Sequence, residues 1–206
     1  MTLHADTLEM AGELRARLGT GTINSFGLPG AGKDTQLERL AGLWGITHIS
    51  SGAIFRQKGV LNPTDQEILD SGVIVPTRLF DQLVVPVLSA PERADEPLLL
   101  SSVGKKLKEA KTVLYETERA GHPTRAVLHL VIDEETSLAR AYARKEQRGD
   151  DAEGVPEKRL QEYMEQTTPV LDFYEGEGLL VHIDAMAEET VVFGAMVTAL
   201  HERIAA

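Results

Sequence analysis

The sequence predicts an α/β fold, a five-stranded parallel sheet flanked by helices on both faces. Three observations carry this. Short, strongly apolar runs recur along the chain, at 22–28, 46–49, 97–101 (PLLLS), 126–132 (AVLHLVI) and 179–184 (LLVHID). Segments with helical spacing separate them, and strands alternating with helices imply parallel pairing through crossovers. The first strand runs directly into a glycine-rich turn that opens a helix, GLPGAGKDTQ at 27–36.

Taken in order, residues 2–18 place Leu8, Met10, Ala11, Leu14 and Leu18 at helical spacing. This extra N-terminal helix (1–20) is expected to pack on the sheet edge or to contact a second copy. The strand at 22–28 and its turn lead to a helix at 35–44, with Leu37, Leu40, Ala41 and Trp44 on one face and Gly45 as its stop. Trp44 there reads as packing. A brief strand at 46–49 follows. SSGAIFRQKG, NPTDQEILDSG and PTRLFDQLVVPVL then read as three helices punctuated by Gly and Pro, and 50–78 is taken as an inserted helical lobe. The wholly apolar 97–101 suits a strand covered on both faces. Helices are expected at 105–120, 134–147, 156–174 and 191–204, with strands at 126–132 and 179–184. The polar RKEQRGDDAEG at 144–154 breaks the rhythm and reads as a short lid over 144–155, with Gly149 and Gly154 as hinges or as ordinary loop glycines.

The 206 residues fit a single domain, and 42% hydrophobic with 26% charged residues can build a core. There is no cysteine, which excludes disulfides and thiolate zinc sites. His4, His48, His122, His129, His182 and His201 show no metal-ligand spacing, so no zinc is expected. Nothing approaches a membrane-spanning apolar run, and residues 1–18 lack a secretory pattern. A soluble cytoplasmic protein is expected, monomeric, with a dimer as the alternative. The net charge of −11 argues against a nucleic-acid polymer as partner. A small nucleotide needs only a local cluster of cations, such as Arg140, Arg144, Lys145, Arg148, Lys158 and Arg159.

Gly27, Gly30, Gly32 and Lys33 fit G-x-x-x-x-G-K in the strand-turn-helix context that this motif requires. Glycines let backbone N–H groups turn inward, the helix presents its positive end, and Lys33 adds a point charge. Asp34 is unusual, because a hydroxyl or a glycine normally follows the lysine. A carboxylate in the first helical turn suits the dipole, yet a bare anion beside phosphates costs affinity unless a cation intervenes. Arg140, Arg144 and Arg148 recur every four residues and share a helix face. They serve phosphoryl transfer, which depends on positioning and cationic stabilisation, or form a solvated stripe.

GLPGAGKDTQ followed by LERLAGLWGITHISSGAIFR resembles the adenylate kinase family of nucleoside monophosphate (NMP) kinases. The likeness continues through VIVP at 73–76 and KRLQEYMEQTTPVLDFYEGEGLLVHID at 158–184, covering about 22–184. It implies a P-loop NTPase three-layer sandwich with a small NMP-binding insert and a short lid. The implied reaction is reversible transfer from Mg-ATP to an NMP, AMP first, with Mg2+ as cofactor, ATP as substrate and no zinc. Gly27, Pro29, Gly30, Ala31, Gly32, Lys33, Asp34 and Thr35 would hold the ATP phosphates, with Arg140 against the donor base. Thr35, and Asp34 through water, would sit near the metal. Ser51, Gly52, Arg56, Val75, Lys105 and Glu109 would bind the NMP. Lys33, Arg144, Arg148 and Arg159 would be catalytic, and RGDD at 148–151 resembles the family's lid signature.

The acceptor side departs from the family. SSVGK at 101–105 stands where D-G-F-P-R is usual, and Glu109 replaces a Gln. Lys105 keeps a charge but loses the bidentate fork, and Ser101 removes an acid that orders metal-bound water. Ala53 stands where many members have Asp. A carboxylate at Glu109 would shift or broaden the choice of base, unless it points to solvent from the polar helix KKLKEAK. Two other functions stay open, a kinase for another small acceptor and a nucleotide-binding pseudo-kinase or regulator. Loss of the acid and arginine favours the latter, and Lys33, Arg56, Arg144, Arg148 and Arg159 oppose it.

Overall fold

The structure, a computed structural model, describes residues 5–57, 59–148 and 154–205, with the side chains of 144–148 outside that description. The elements are α1 (Ala5–Leu18), β1 (Thr22–Phe26), α2 (Lys33–Trp44), β2 (Ile49–Ser50), α3 (Ser51–Phe55), α4 (Pro63–Asp70), α5 (Thr77–Leu83) and α6 (Val85–Leu88). They continue with β3 (Leu98–Ser101), α7 (Leu107–Arg119), β4 (Thr124–Val131), α8 (Glu134–Arg148), α9 (Val155–Glu162), α10 (Thr168–Gly176), β5 (Leu180–Asp184) and α11 (Glu189–Ala205).

Strands buried on both faces must send apolar side chains both ways, and these do. In β3, Leu99 joins one core, while Leu98 and Leu100 join another on the opposite face. In β4, Ala126, Leu128 and Leu130 face the first core and Val127 the other side. The five strands pair in parallel in the order β2-β3-β1-β4-β5, with helices packed on each face. β1 is central and buried at every position. The chain runs from β1 through α2 to β2 on one side and later crosses from β3 through α7 to β4 on the other. The C-terminal end of β1 therefore opens into a crevice of the kind where α/β sheets bind ligands.

Several elements differ from expectation. The strand expected at 46–49 is Ile49–Ser50 alone, because only these two residues pair with β3. PTRLFDQLVVPVL breaks at Val84 into α5 and α6, since Pro86 has no N–H to continue the helix. The helix expected over 156–174 is α9, a π-helical turn at Tyr163–Thr167, and α10. Pro169 accounts for the interruption: its ring cannot pack under the preceding turn, and the wider turn gives it room. Finally, α1 lies along α11 and α2 in the helical layer rather than on an edge strand. Trp44 packs on this core and donates from Nε1 to the Ala11 carbonyl at 2.9 Å. Among the described residues no helix is long and apolar enough to cross a membrane.

Candidate active site

The loop between β1 and α2 takes a conformation that only glycine supports. Gly27 has φ 149°, and a Cβ there would lie 2.5 Å from the Leu130 carbonyl oxygen. Gly30, at φ 82°, passes close to α8, where a Cβ would meet Arg140 Cβ at 2.9 Å. Lys33 Nζ donates to the carbonyls of Gly27 and Leu28 at 2.7 and 2.9 Å, so the lysine lies across its own loop. From behind, Ser137 Oγ donates to the Pro29 carbonyl at 2.6 Å. Arg140 Nη1 reaches the carbonyls of Gly30 and Ala185 at 3.4 and 3.2 Å, so it braces the loop. Ala31 turns into the core and Thr35 is exposed.

Asp34, in the first turn of α2, faces the end of β3. His48 Nε2 lies 3.7 Å from Asp34 Oδ1. His48, then Ser101 and Lys33, hold this carboxyl well below the usual carboxylate range against the opposing effect of burial. Its Oδ1 is buried without a hydrogen-bond partner. Asp34 is therefore an ionised acceptor with unused capacity, beside the phosphate loop.

The opposite wall is built from α3, the loop after β3, and α7. Asn24, buried in β1, donates from Nδ2 to the Val103 carbonyl at 2.8 Å and fixes that loop. Ser102 sits in the left-handed region at φ 51°, and its carbonyl accepts from Ser51 Oγ at 2.7 Å. A Cβ on Gly52 would lie 3.0 Å from the Arg56 guanidinium, so this glycine makes room for the arginine. Lys105 follows on the same loop. Burial first, then Arg56 and Arg159, push its pKa down, as expected where cations crowd.

Glu109 is not on the solvent face of its helix. It is 3% exposed, which removes the solvent-facing alternative. Oε1 accepts from Thr77 Oγ1 at 2.9 Å and Oε2 from the Lys106 N–H at 3.3 Å, while Lys106 Nζ donates to the Val75 carbonyl at 2.9 Å. Burial pushes the Glu109 carboxyl up, with Thr77 and Lys106 opposing. From α9, Glu162 Oε2 accepts from the Ile74 N–H at 3.2 Å.

One cleft joins these walls. Gly27, Pro29, Gly30, Gly32, Lys33 and Asp34 line one side; Ser51, Gly52, Arg56, Val75, Ser101, Lys105 and Glu109 line the other, with Arg159 from α9. Of the expected residues, Ala31, Thr35 and Arg140 lie elsewhere, as described above. The side chains of Arg144 and Arg148 lie outside the described residues, as do Gly149 and most of the RGDD lid segment. Asn24, His48, Thr77, Lys106 and Ser137 were not legible as site residues. Each acts through a contact distant in sequence, although His48 stands inside the THISSG stretch and could have been noticed there. Four cations, Lys33, Arg56, Lys105 and Arg159, thus face one cavity of an acidic chain, an arrangement suited to two phosphorylated ligands.

Comparison with known proteins agrees. The family model "Adenylate kinase" matches residues 25–179. The chain is 36% identical over 183 residues to an adenylate kinase of Leifsonia xyli subsp. xyli, covering 86% of this chain and 92% of that one. It is 36% identical over 180 residues to one of Mycolicibacterium paratuberculosis, covering 85% and 96%. To one of Thermobifida fusca it is 37% identical over 183 residues, covering 86% and 96%. With this site and these relatives, the chain belongs to the adenylate kinase family.

Proposed function

We propose that the chain is an ATP-dependent nucleoside monophosphate kinase that transfers the γ-phosphoryl group of Mg-ATP reversibly to AMP, in the cytoplasm. The observation that carries this is the single cleft in which the phosphate loop faces Arg56, Lys105 and Arg159. In the reaction an acceptor phosphate oxygen forms a bond to the γ-phosphorus, and the bond to the β,γ-bridging oxygen breaks. The loop N–H groups and Lys33 hold the β- and γ-phosphates. Arg56 and Lys105 neutralise the acceptor phosphate, and Arg159, with Arg144 and Arg148, offsets charge on the group in transit. Segment 50–78 serves as the acceptor lobe and 144–155 as a lid that excludes water.

Mg2+ fits the residues present. Asp34 offers an ionised, partly unused carboxylate beside Lys33 and Ser101. Asp34 would hold the metal through its water shell, and Mg2+ would neutralise charge on the β- and γ-phosphates. Asp34 thereby does from α2 what an acid at position 101 would do from β3. Asp34→Gly is expected to raise the Mg2+ concentration needed for half-maximal turnover about tenfold. It should also weaken the Mg2+-dependent part of ATP's thermal stabilisation. Unchanged or improved activity rules the role out.

The reaction is tested by following ADP formation with AMP, CMP, UMP, GMP and dTMP. AMP turnover is expected. Inactivity on all five together with ATP turnover on another phosphate acceptor would move the assignment to a different kinase. No turnover with tight ATP binding would make it a pseudo-kinase, the reading that the loss of an acid at Ser101 favours.

A further inference from the structure

We propose that Glu109 selects the acceptor base by its own protonation, the neutral acid taking adenine and the carboxylate taking guanine. This rests on the NMP kinase reading above and goes beyond it.

The argument begins with hydrogen-bond inventory. Glu109 lines the inner wall of the cleft beside Val75 and Lys105. Its protein donors are Thr77 Oγ1 on Oε1, the Lys106 N–H on Oε2 and the Lys105 N–H. A carboxylate accepts about four hydrogen bonds in all, so the group retains capacity for a ligand. When ionised, the group offers two acceptors. That matches the paired N1–H and N2–H donors of guanine and opposes the N1 lone pair of adenine. When neutral, it offers one O–H donor beside one acceptor, which matches adenine N1 and N6–H. A mismatch in a buried site leaves polar groups unpaired, and this is what gives such sites their discrimination.

The surroundings pull on this proton in both directions. Burial disfavours the charge on Glu109. Thr77 from α5, and the Lys106 ammonium and N–H before α7, favour it, and the Lys105 charge lies on the same side. Burial dominates and the carboxyl is raised. The sign follows: adenine recognition is complete below the raised value and declines as pH climbs through it, while guanine recognition increases.

The experiment measures kcat/KM for AMP and for GMP from about pH 5.5 to 8.5 and reports their ratio. Lys105 and the nucleotide phosphate also titrate, but they act alike on both substrates and cancel in the ratio. The AMP:GMP ratio is expected to fall as pH rises, by up to about tenfold for each unit above the pKa, since each unit there removes roughly nine-tenths of the remaining neutral form. E109Q keeps one donor and one acceptor at every pH and should give a flat, AMP-favouring ratio. T77V removes a bond to the carboxylate and should move the fall to higher pH. A flat ratio in the unmodified enzyme, or an equal slope in E109Q, overturns the proposal and leaves the kinase reading standing. Absence of turnover with every nucleotide overturns both.

Discussion

Replacing Lys33 by methionine is expected to lower kcat by about 10^2- to 10^3-fold with the fold retained. Charge accumulates on the phosphoryl oxygens as the group passes between donor and acceptor, so a cation held in the loop is worth more there than in the ground state. Lys33 is well placed for this, because its ammonium already lies over the loop, bonded to the carbonyls of Gly27 and Leu28. Those bonds exchange for water in the variant, which should cost roughly 1 kcal/mol of stability. The measurement is steady-state kinetics at saturating ATP and acceptor, beside thermal melting. A kcat within tenfold of the unmodified enzyme contradicts the assigned role, and so does an activity loss explained wholly by unfolding.

Gly27→Ala is expected to destabilise the protein by about 3 kcal/mol or more, through a disfavoured backbone conformation and overpacking together. The added methyl would stand 2.5 Å from the Leu130 carbonyl oxygen and 3.2 Å from Ala31 Cβ. Neither is the free end of a flexible side chain. Leu130 belongs to β4, which is paired on both sides, so the strain falls on the sheet or opens the phosphate loop. For a domain of this size the melting temperature should drop by roughly 6–12 °C. Gly42→Ala is the control: it lies within α2 with nothing inside 4 Å of its Cβ, and alanine there should be neutral or stabilising. A Gly27→Ala melt indistinguishable from the control would refute the packing argument.

These two residues also mark what can be read before folding. Gly27 and Lys33 were legible because phosphate-loop stereochemistry is local, contained within a few residues of a strand-turn-helix. The helices of α2, α7 and α8 were legible for a related reason, since their periodicity repeats within the element itself. Pro86 and Pro169 carried the helix breaks in plain view. Each lacks the N–H that the apolar periodicity of 76–88 and 156–174 would need to run on as one helix.

Glu109 shows the limit. In KKLKEAK it looks like a solvated helix residue, and only the approach of Thr77 from another helix shows that it is buried and hydrogen-bonded. Asp34 is similar: its position in the helix was plain, but its neighbours His48 and Ser101 come from two other segments.

By itself, then, the sequence determined the fold class, the five strands and the phosphate loop, because periodicity, turn stereochemistry and motif spacing act over a few residues. The tertiary structure alone decided the strand order, the burial of Glu109 and the bracing of the loop by Ser137 and Arg140. Burial, partner and protonation are set by whatever packs against a side chain, and in a parallel sheet those neighbours arrive from distant crossovers.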